Sequence, residues 1–95
     1  EHYMKSYTYP AVFIKDKEND EYKVIFPDLE ITTDGKFVEE AFLYAKACLK
    51  EYFIYVEKYD LDFNMPSEFE FVKKASNDED LVMLVDADVY EKELR

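Results

Sequence analysis

The sequence predicts an α+β domain with its elements in the order β-β-β-α-β, a small sheet with one long helix packed on one face. Three observations carry this. Aromatic and β-branched residues cluster in short runs near the start, around Tyr7–Lys15 and Tyr22–Phe26, and again at Leu81–Val85. Between them, one stretch from Val38 to Val56 repeats apolar residues at three- and four-residue steps. The 95 residues contain one glycine and three prolines, and no linker or repeat divides them, so residues 1–95 read as one domain.

The first strand is read over Tyr7–Lys15 and the second over Tyr22–Phe26, joined by the polar turn Lys17–Glu21 as a hairpin. Pro27 cannot donate to a ladder and ends the second strand. Ile31–Thr33 forms a short third strand before Asp34 and Gly35, and Gly35 is expected to take a positive φ. In the helix, Val38, Ala41, Phe42, Ala45, Cys48, Leu49, Tyr52, Phe53 and Val56 make one stripe. Glu39 and Glu40 fall in its first turn, where the helix dipole favours negative charge. Ala41 and Ala45 allow close approach to a sheet. Cys48 lies on the same stripe and reads as a small hydrophobe, since a reactive thiol wants a nearby cation and exposure.

Tyr59–Asn64 is read as irregular. Ser67 and Glu70 have capping-box spacing and predict a short helix from Ser67 to about Lys74. Ser76–Asp80 is a solvated loop, Leu81–Val85 a strand ended by Asp86, and Val89–Leu94 a helical turn or the start of a longer one. A right-handed crossover through the long helix would place the last strand parallel to its neighbour, expected to be the first. Consecutive apolar residues at Val12–Ile14 and Leu81–Val85 imply that both sheet faces are buried. One helix covers one face. The other is left to the Tyr59–Lys74 segment, a second copy or a partner. Self-association or partner docking is expected to do part of it, and the chain is expected to form a homo-oligomer, a dimer or higher.

Hydrophobic residues make up 48% of the chain, including nine tyrosines and eight phenylalanines, enough for an aromatic core. The formal charge of −11 disfavours nucleic-acid phosphates and anionic membranes as partners and suits a basic one. The lone cysteine forbids an internal disulfide, and no signal or membrane-spanning run is visible, which favours the cytoplasm. Met4 reads as a natural start, with Glu1–Tyr3 as added residues.

Catalytic sets are scarce. His2 is the only histidine, so neither a Ser-His-Asp or Cys-His set nor a histidine metal cluster can be built on it with ease. One glycine excludes a glycine-rich phosphate loop. The remaining catalytic option is a carboxylate cluster for Mg²⁺ or Mn²⁺. Asp16 and Asp86, at the ends of adjacent strands, would lead it, with Glu39, Glu40 or Asp88 assisting. No catalytic residue, metal or cofactor is assigned. The tyrosines at 22, 44, 52, 55 and 59 lack the interleaved cations of a stacking platform for single-stranded nucleic acid. The helical ones are expected on or beside the core stripe.

Several segments in order resemble the HicB-like antitoxin family of toxin–antitoxin pairs. They are Tyr9-Pro10-Ala11-Val12-Phe13; Tyr22-Lys23-Val24-Ile25-Phe26-Pro27-Asp28-Leu29; Thr33-Asp34-Gly35; Glu39-Glu40-Ala41 with Ala45-Lys46 and Leu49; Met65-Pro66-Ser67; and Leu84-Val85-Asp86 with Asp88. Two places depart from the pattern. The loop after Leu29 is one residue short, and Phe37 stands where a Thr or Ser caps the helix, a loss worth about 1 kcal/mol. The resemblance implies a partial ribonuclease-H-like fold. It also implies a domain that covers HicA, a small basic mRNA-cleaving toxin, while a separate C-terminal segment, absent from these residues, binds operator DNA. On that reading the toxin-binding candidates are Asp16, Glu18, Asp20 and Glu21 around the first turn, with Tyr22 and Asp28. The alternatives are a divalent-metal nuclease of reduced ribonuclease-H-like fold and a toxin-less oligomeric scaffold. Against the nuclease, Tyr9–Ile14 holds no acid.

Overall fold

The computed structural model describes residues 3–95, so the readings of Glu1 and His2 lie outside the described residues. Four strands form one open sheet: β1 (Met4–Asp16), β2 (Glu21–Phe26), β3 (Ile31–Gly35) and β4 (Leu81–Tyr90), in the spatial order β3-β2-β1-β4. Helix α1 (Val38–Tyr59) packs on one face, a short helix α2 (Phe69–Ala75) lies across the other, and a 3₁₀ turn (Glu91–Leu94) closes the chain. The strand order and the single packed helix are those of a partial ribonuclease-H-like α+β fold.

Strand β1 is the spine, paired to β2 over Val12–Asp16 and to β4 over Met4–Phe13. Its alternate residues Tyr9, Ala11 and Phe13 are buried toward α1, with Val24 and Phe26 of β2 and Val85, Ala87 and Val89 of β4. The helix presents Ala41, Ala45, Leu49, Phe53 and Val56 to them at steps of four, four, four and three. That is the stripe expected from the periodicity, and Ala41 packs against Gly35 of β3. As expected, Phe37 offers no side-chain cap; instead the Glu40 carboxylate accepts the Lys36 N–H at 2.6 Å.

The last strand is beside β1 as expected but runs antiparallel to it, which corrects the parallel crossover. The return path explains the difference. α1 runs back along the sheet from the end of β3, and residues 60–68 then cross the sheet end. α2 travels up the second face, so the chain enters β4 beside Phe13 rather than beside Met4. Two legs replace the single crossover for which parallel pairing is the rule.

Further corrections follow from tertiary contacts. Strand β4 continues through Asp86 to Tyr90, because Val85, Ala87 and Val89 point into the core and the aspartates between them point away. Only Glu91–Leu94 is helical, as a 3₁₀ turn. Ser67 does not cap α2. Its hydroxyl donates to Asp28, and the N-cap is Glu68. Gly35 has no positive φ; that conformation falls on Asp20, Glu30 and Asp60. What Gly35 supplies is closeness, since a Cβ there would lie 2.6 Å from the Ala41 nitrogen.

The second face is covered in part from within the chain. Val72 of α2 is buried over the sheet, and Pro10 and Val12 are buried beneath that side. Between α2 and strands β1 and β2 an open groove of about 500 Å³ remains, lined by Val12, Ile14 and Ile25, with Phe71 at its rim 69% exposed.

At the other end of the core, Tyr7 stacks on Phe53 and its hydroxyl donates to Glu57, while the buried Tyr9 donates to the Asn64 carbonyl at 2.7 Å. Burial, then the Glu57 carboxylate, raises the Tyr7 hydroxyl well above its ordinary value. Burial and then Asp28 push Tyr9 up to about 12. An unfolded tyrosine ionises near 10, so above that pH the unfolded chain holds fewer protons than the folded one. The stabilisation is complete below pH ~10 and is lost as pH climbs toward 12. We expect alkaline unfolding in that window, with tyrosinate absorbance and loss of helical circular dichroism rising together. Ionisation of all tyrosines ahead of unfolding would contradict it.

Candidate partner-binding surface

The β1–β2 hairpin tip gathers five of the six residues singled out from the sequence. Asp16 closes the ladder opposite Glu21, and Lys15 pairs with Tyr22. Asp16 then shapes the turn: its carboxylate accepts the backbone N–H groups of Glu18 and Asn19 and the Asn19 side-chain amide. Those hydrogen bonds, led by Asn19, hold its carboxyl below the usual aspartate range. Asp20 takes the left-handed conformation that completes the turn, one an aspartate tolerates. Glu18 and Asp20 face solvent.

The tip is less negative than its acids suggest. Lys15 pairs with Asp20 at 3.1 Å and lies over the Tyr22 ring at 4.9 Å. Lys23 bridges Glu21 at 3.3 Å and Asp16 at 3.9 Å. With Lys17, three lysines stand among four carboxylates. Such exposed pairs contribute little stability, but they confine the unbalanced charge to Glu18 and its surroundings.

Asp28 is not part of this cluster. It follows the opposite end of β2, and its carboxylate accepts the Ser67 N–H at 2.9 Å and the Ser67 hydroxyl. Asn64 donates to the Asp28 carbonyl at 3.0 Å. Asp28 thus ties the β2–β3 turn to residues 64–67, which start the second-face path. The sequence pattern could not show this, because Asp28 and Ser67 meet only through the tertiary fold.

The carboxylate pair considered for a metal is also taken apart. Asp86 lies opposite Thr8, eight residues along β1 from Asp16, a separation of roughly 26 Å at ~3.3 Å per residue. Antiparallel pairing causes this, since it sends the two strands' acid-bearing ends in opposite directions. Asp86 instead pairs with Lys46 at 3.0 Å, and Asp88 accepts from Ser6 at 2.7 Å. Among the described residues no group of three or more His, Cys, Asp or Glu side chains is arranged to hold a metal ion. The Cys48 thiol is half-buried, 4.0 Å from the Thr32 carbonyl, and burial raises its pKa, as suits a packing residue.

The helical tyrosines are a further correction. Tyr52 packs edge-on against Phe53, but Tyr44, Tyr55 and Tyr59 stand exposed on the outer face of α1. Tyr55 and Tyr59 touch one another one turn apart, with ring centres 4.9 Å apart. A signal was present for two of them: Tyr44 and Tyr55 lie about a quarter to a third of a turn off the centre of the 41-45-49-53-56 stripe, whereas Tyr59 is in line with Ala41 and is exposed at the last residue of the helix.

No family model and no curated protein matches the chain. Among solved structures it is similar to a chain of the toxin–antitoxin complex from Streptococcus pneumoniae, with a TM-score of 0.73 and 24% identity. The match covers 87% of this chain and 69% of that one. The likeness is one of fold. Among the described residues no helix is long and apolar enough to cross a membrane.

Proposed function

We propose that this chain is an antitoxin domain of the HicB-like kind, which binds a small basic mRNA-cleaving toxin and occludes its working face. The observation that carries this reading is the fold shared with a chain of a toxin–antitoxin complex over 87% of the length. The ordered HicB-like segments read from the sequence support it independently. So does the charge of −11, which speeds encounter with a basic partner and suits it better than RNA. The partner class is a HicA-like toxin. Autoregulation of an operon would need a DNA-binding segment other than the one described here, because this surface repels phosphate.

The hairpin tip is the proposed toxin-facing site, with Glu18, Asp20 and Glu21 as its acidic contacts, Tyr22 beside them and Asp16 shaping the turn. Asp28 belongs to the same reading as a positioning residue. The test is co-expression with the product of the neighbouring reading frame, which this reading expects to be a small basic protein. The pair should co-purify, and the chain should relieve growth arrest by its neighbour. The triple variant Glu18→Lys, Asp20→Asn, Glu21→Lys, which keeps at position 20 a residue that accepts the left-handed conformation, should weaken that complex at least about tenfold at low salt while leaving the melting temperature nearly unchanged. Unchanged affinity would move the site elsewhere on the domain. A neighbour that neither binds nor arrests growth would remove the antitoxin reading.

A further inference from the structure

Strand β4 is an edge strand ten residues long, and its two halves are finished differently. The direction of its free backbone groups follows from three facts. The Glu91 N–H donates to the Tyr3 carbonyl, continuing the β1–β4 ladder by one bonded pair. Bonded pairs alternate in an antiparallel ladder, so the odd-numbered residues of β4 bond β1. Lys46 donates to the Asp86 carbonyl from outside the sheet, and Leu84 sits opposite Pro10, which has no N–H to give. Val82, Leu84, Asp86, Asp88 and Tyr90 therefore present their N–H and C=O groups outward.

In the second half two of these groups are guarded. Lys46 covers the Asp86 carbonyl at 2.9 Å, and Glu93 accepts the outward Tyr90 N–H at 2.9 Å. Lys50 pairs with Glu93 at 2.8 Å and lies over the Tyr90 ring. Charged side chains of this kind are the usual protection of a sheet edge. The first half has none of it. Among the described residues no side chain bonds the outward groups of Val82 and Leu84, and Leu81 through Val85 carry no charge. Leu81 is 44% and Leu84 53% exposed. Leu43, one turn before the Lys46 that reaches Asp86 and on the same side of α1, is 64% exposed.

We infer that the Leu81–Val85 edge receives an extended segment of a basic partner, which adds a fifth strand to the sheet. The segment would have an apolar middle and lysine or arginine at its ends. Its backbone would bond Val82 and Leu84, and its alternate side chains would meet Leu43 on one face and Leu84 on the other. Charge decides the occupant. The apolar stretch lies between Asp78, Glu79 and Asp80 before it and Asp86 and Asp88 after it. A second copy aligned on Met83 would set Asp80 against Asp86 of its mate at both ends. Like charges opposed across a ladder are destabilising, and each chain already carries −11. The same carboxylates attract a strand with cationic ends, most strongly at the Asp78–Asp80 end, because Lys46 offsets part of the Asp86 charge. For the partner's identity this inference rests on the antitoxin reading; the edge itself is tested without it.

The probe is a short peptide alternating valine and threonine with paired lysines at both ends, compared with one ending in paired glutamates. With the lysine peptide, the Val82 and Leu84 amides should become protected from hydrogen exchange. Affinity should exceed that for the glutamate peptide by at least about tenfold at low salt, and it should fall as salt is added. Leu84→Pro removes an outward N–H without removing a β1–β4 bond, and should abolish the protection while the circular dichroism stays native. Leu84→Lys, which keeps the N–H, guards against a folding defect and should weaken binding through repulsion of the lysine peptide. Equal binding of the two peptides, or protection appearing on the hairpin tip or α1 instead, would overturn the inference. So would protection of Val82 and Leu84 without peptide that grows with protein concentration and with salt, since that marks a second copy on the edge. None of these outcomes depends on whether the neighbouring protein binds.

Discussion

Phe53→Ala should cost this domain about 3–5 kcal/mol, the range for truncating a fully buried phenylalanine. Phe53 has no exposed surface and stands at the centre of the aromatic cluster. Tyr7 stacks on it with ring centres 3.8 Å apart and planes 4° from parallel. Tyr52 and Phe63 meet it edge-on at 5.0 Å, and Tyr9 lies at 5.4 Å. Edge-on and offset contacts add to the area term, so the loss should fall in the upper part of the range. Domains of this size hold only about 5–15 kcal/mol in total, and a loss this large takes a major share. Urea unfolding monitored by circular dichroism should show a much lower midpoint. Phe63 packs on Phe53, so the substitution should speed exchange of the amides in residues 60–65 by a larger factor than those of β1. Phe53→Leu should keep most of the stability, losing under about 1.5 kcal/mol. A cost for the alanine variant below about 1 kcal/mol would mean that the cluster repacks around the hole.

Gly35→Ala should be destabilising by about 1–3 kcal/mol, although alanine is ordinarily the better residue where φ is not positive. The added Cβ would come within 2.6 Å of the Ala41 nitrogen and 2.7 Å of its Cα, with the Ala41 methyl at 3.1 Å. The first two are backbone atoms of the first turns of α1, so relief requires moving the helix off β3. This gives the prediction a second part. Ala41→Gly removes only the methyl, so it should not rescue Gly35→Ala and should add the cost of a helical glycine, about 1 kcal/mol. Rescue by Ala41→Gly would show that the methyl, not the backbone, sets the approach. Thermal melts of the two single variants and the double variant decide between them.

Much of the fold was legible because its signals are local. The apolar stripe of α1, the hairpin turn at Lys17–Glu21 and the stop at Pro27 each follow from a few neighbouring residues. The helix begins where it was read and extends three residues past Val56, closing on Asp60 in the left-handed conformation. Errors arose where a distant contact outweighed the local pattern. Ser67 has the spacing of a cap, but its hydroxyl finds Asp28 across the sheet end. Asp86 looked like a strand end, but β1 is long enough to pair with β4 through Met4 and Tyr90. Gly35 was marked as special for its backbone angle, when the constraint comes from a helix that crosses it.

For the candidate site, the hairpin tip was visible as a run of acids around a turn, since sequence neighbours there are also spatial neighbours. The lysines that offset them were equally present in the sequence, but their pairing with Asp16, Asp20 and Glu21 depends on the ladder register. The outward Tyr44 and Tyr55 of α1 could have been found by following the helical period more strictly, but Tyr59 could not, since it is in line with the stripe and exposed only because the helix ends there. The unguarded half of the β4 edge could not, because it depends on which strand lies outermost.

The sequence by itself determined the class and order of the elements, the aromatic core and the acidic surface, for these are set by periodicity and composition. The tertiary structure alone decided the direction of β4, the separation of Asp16 from Asp86, the tie between Asp28 and Ser67, and the open edge. Each of these depends on the path of the chain between α1 and β4. Residues 60–68 carry little periodic pattern, and their course is fixed by packing against a sheet that must already exist.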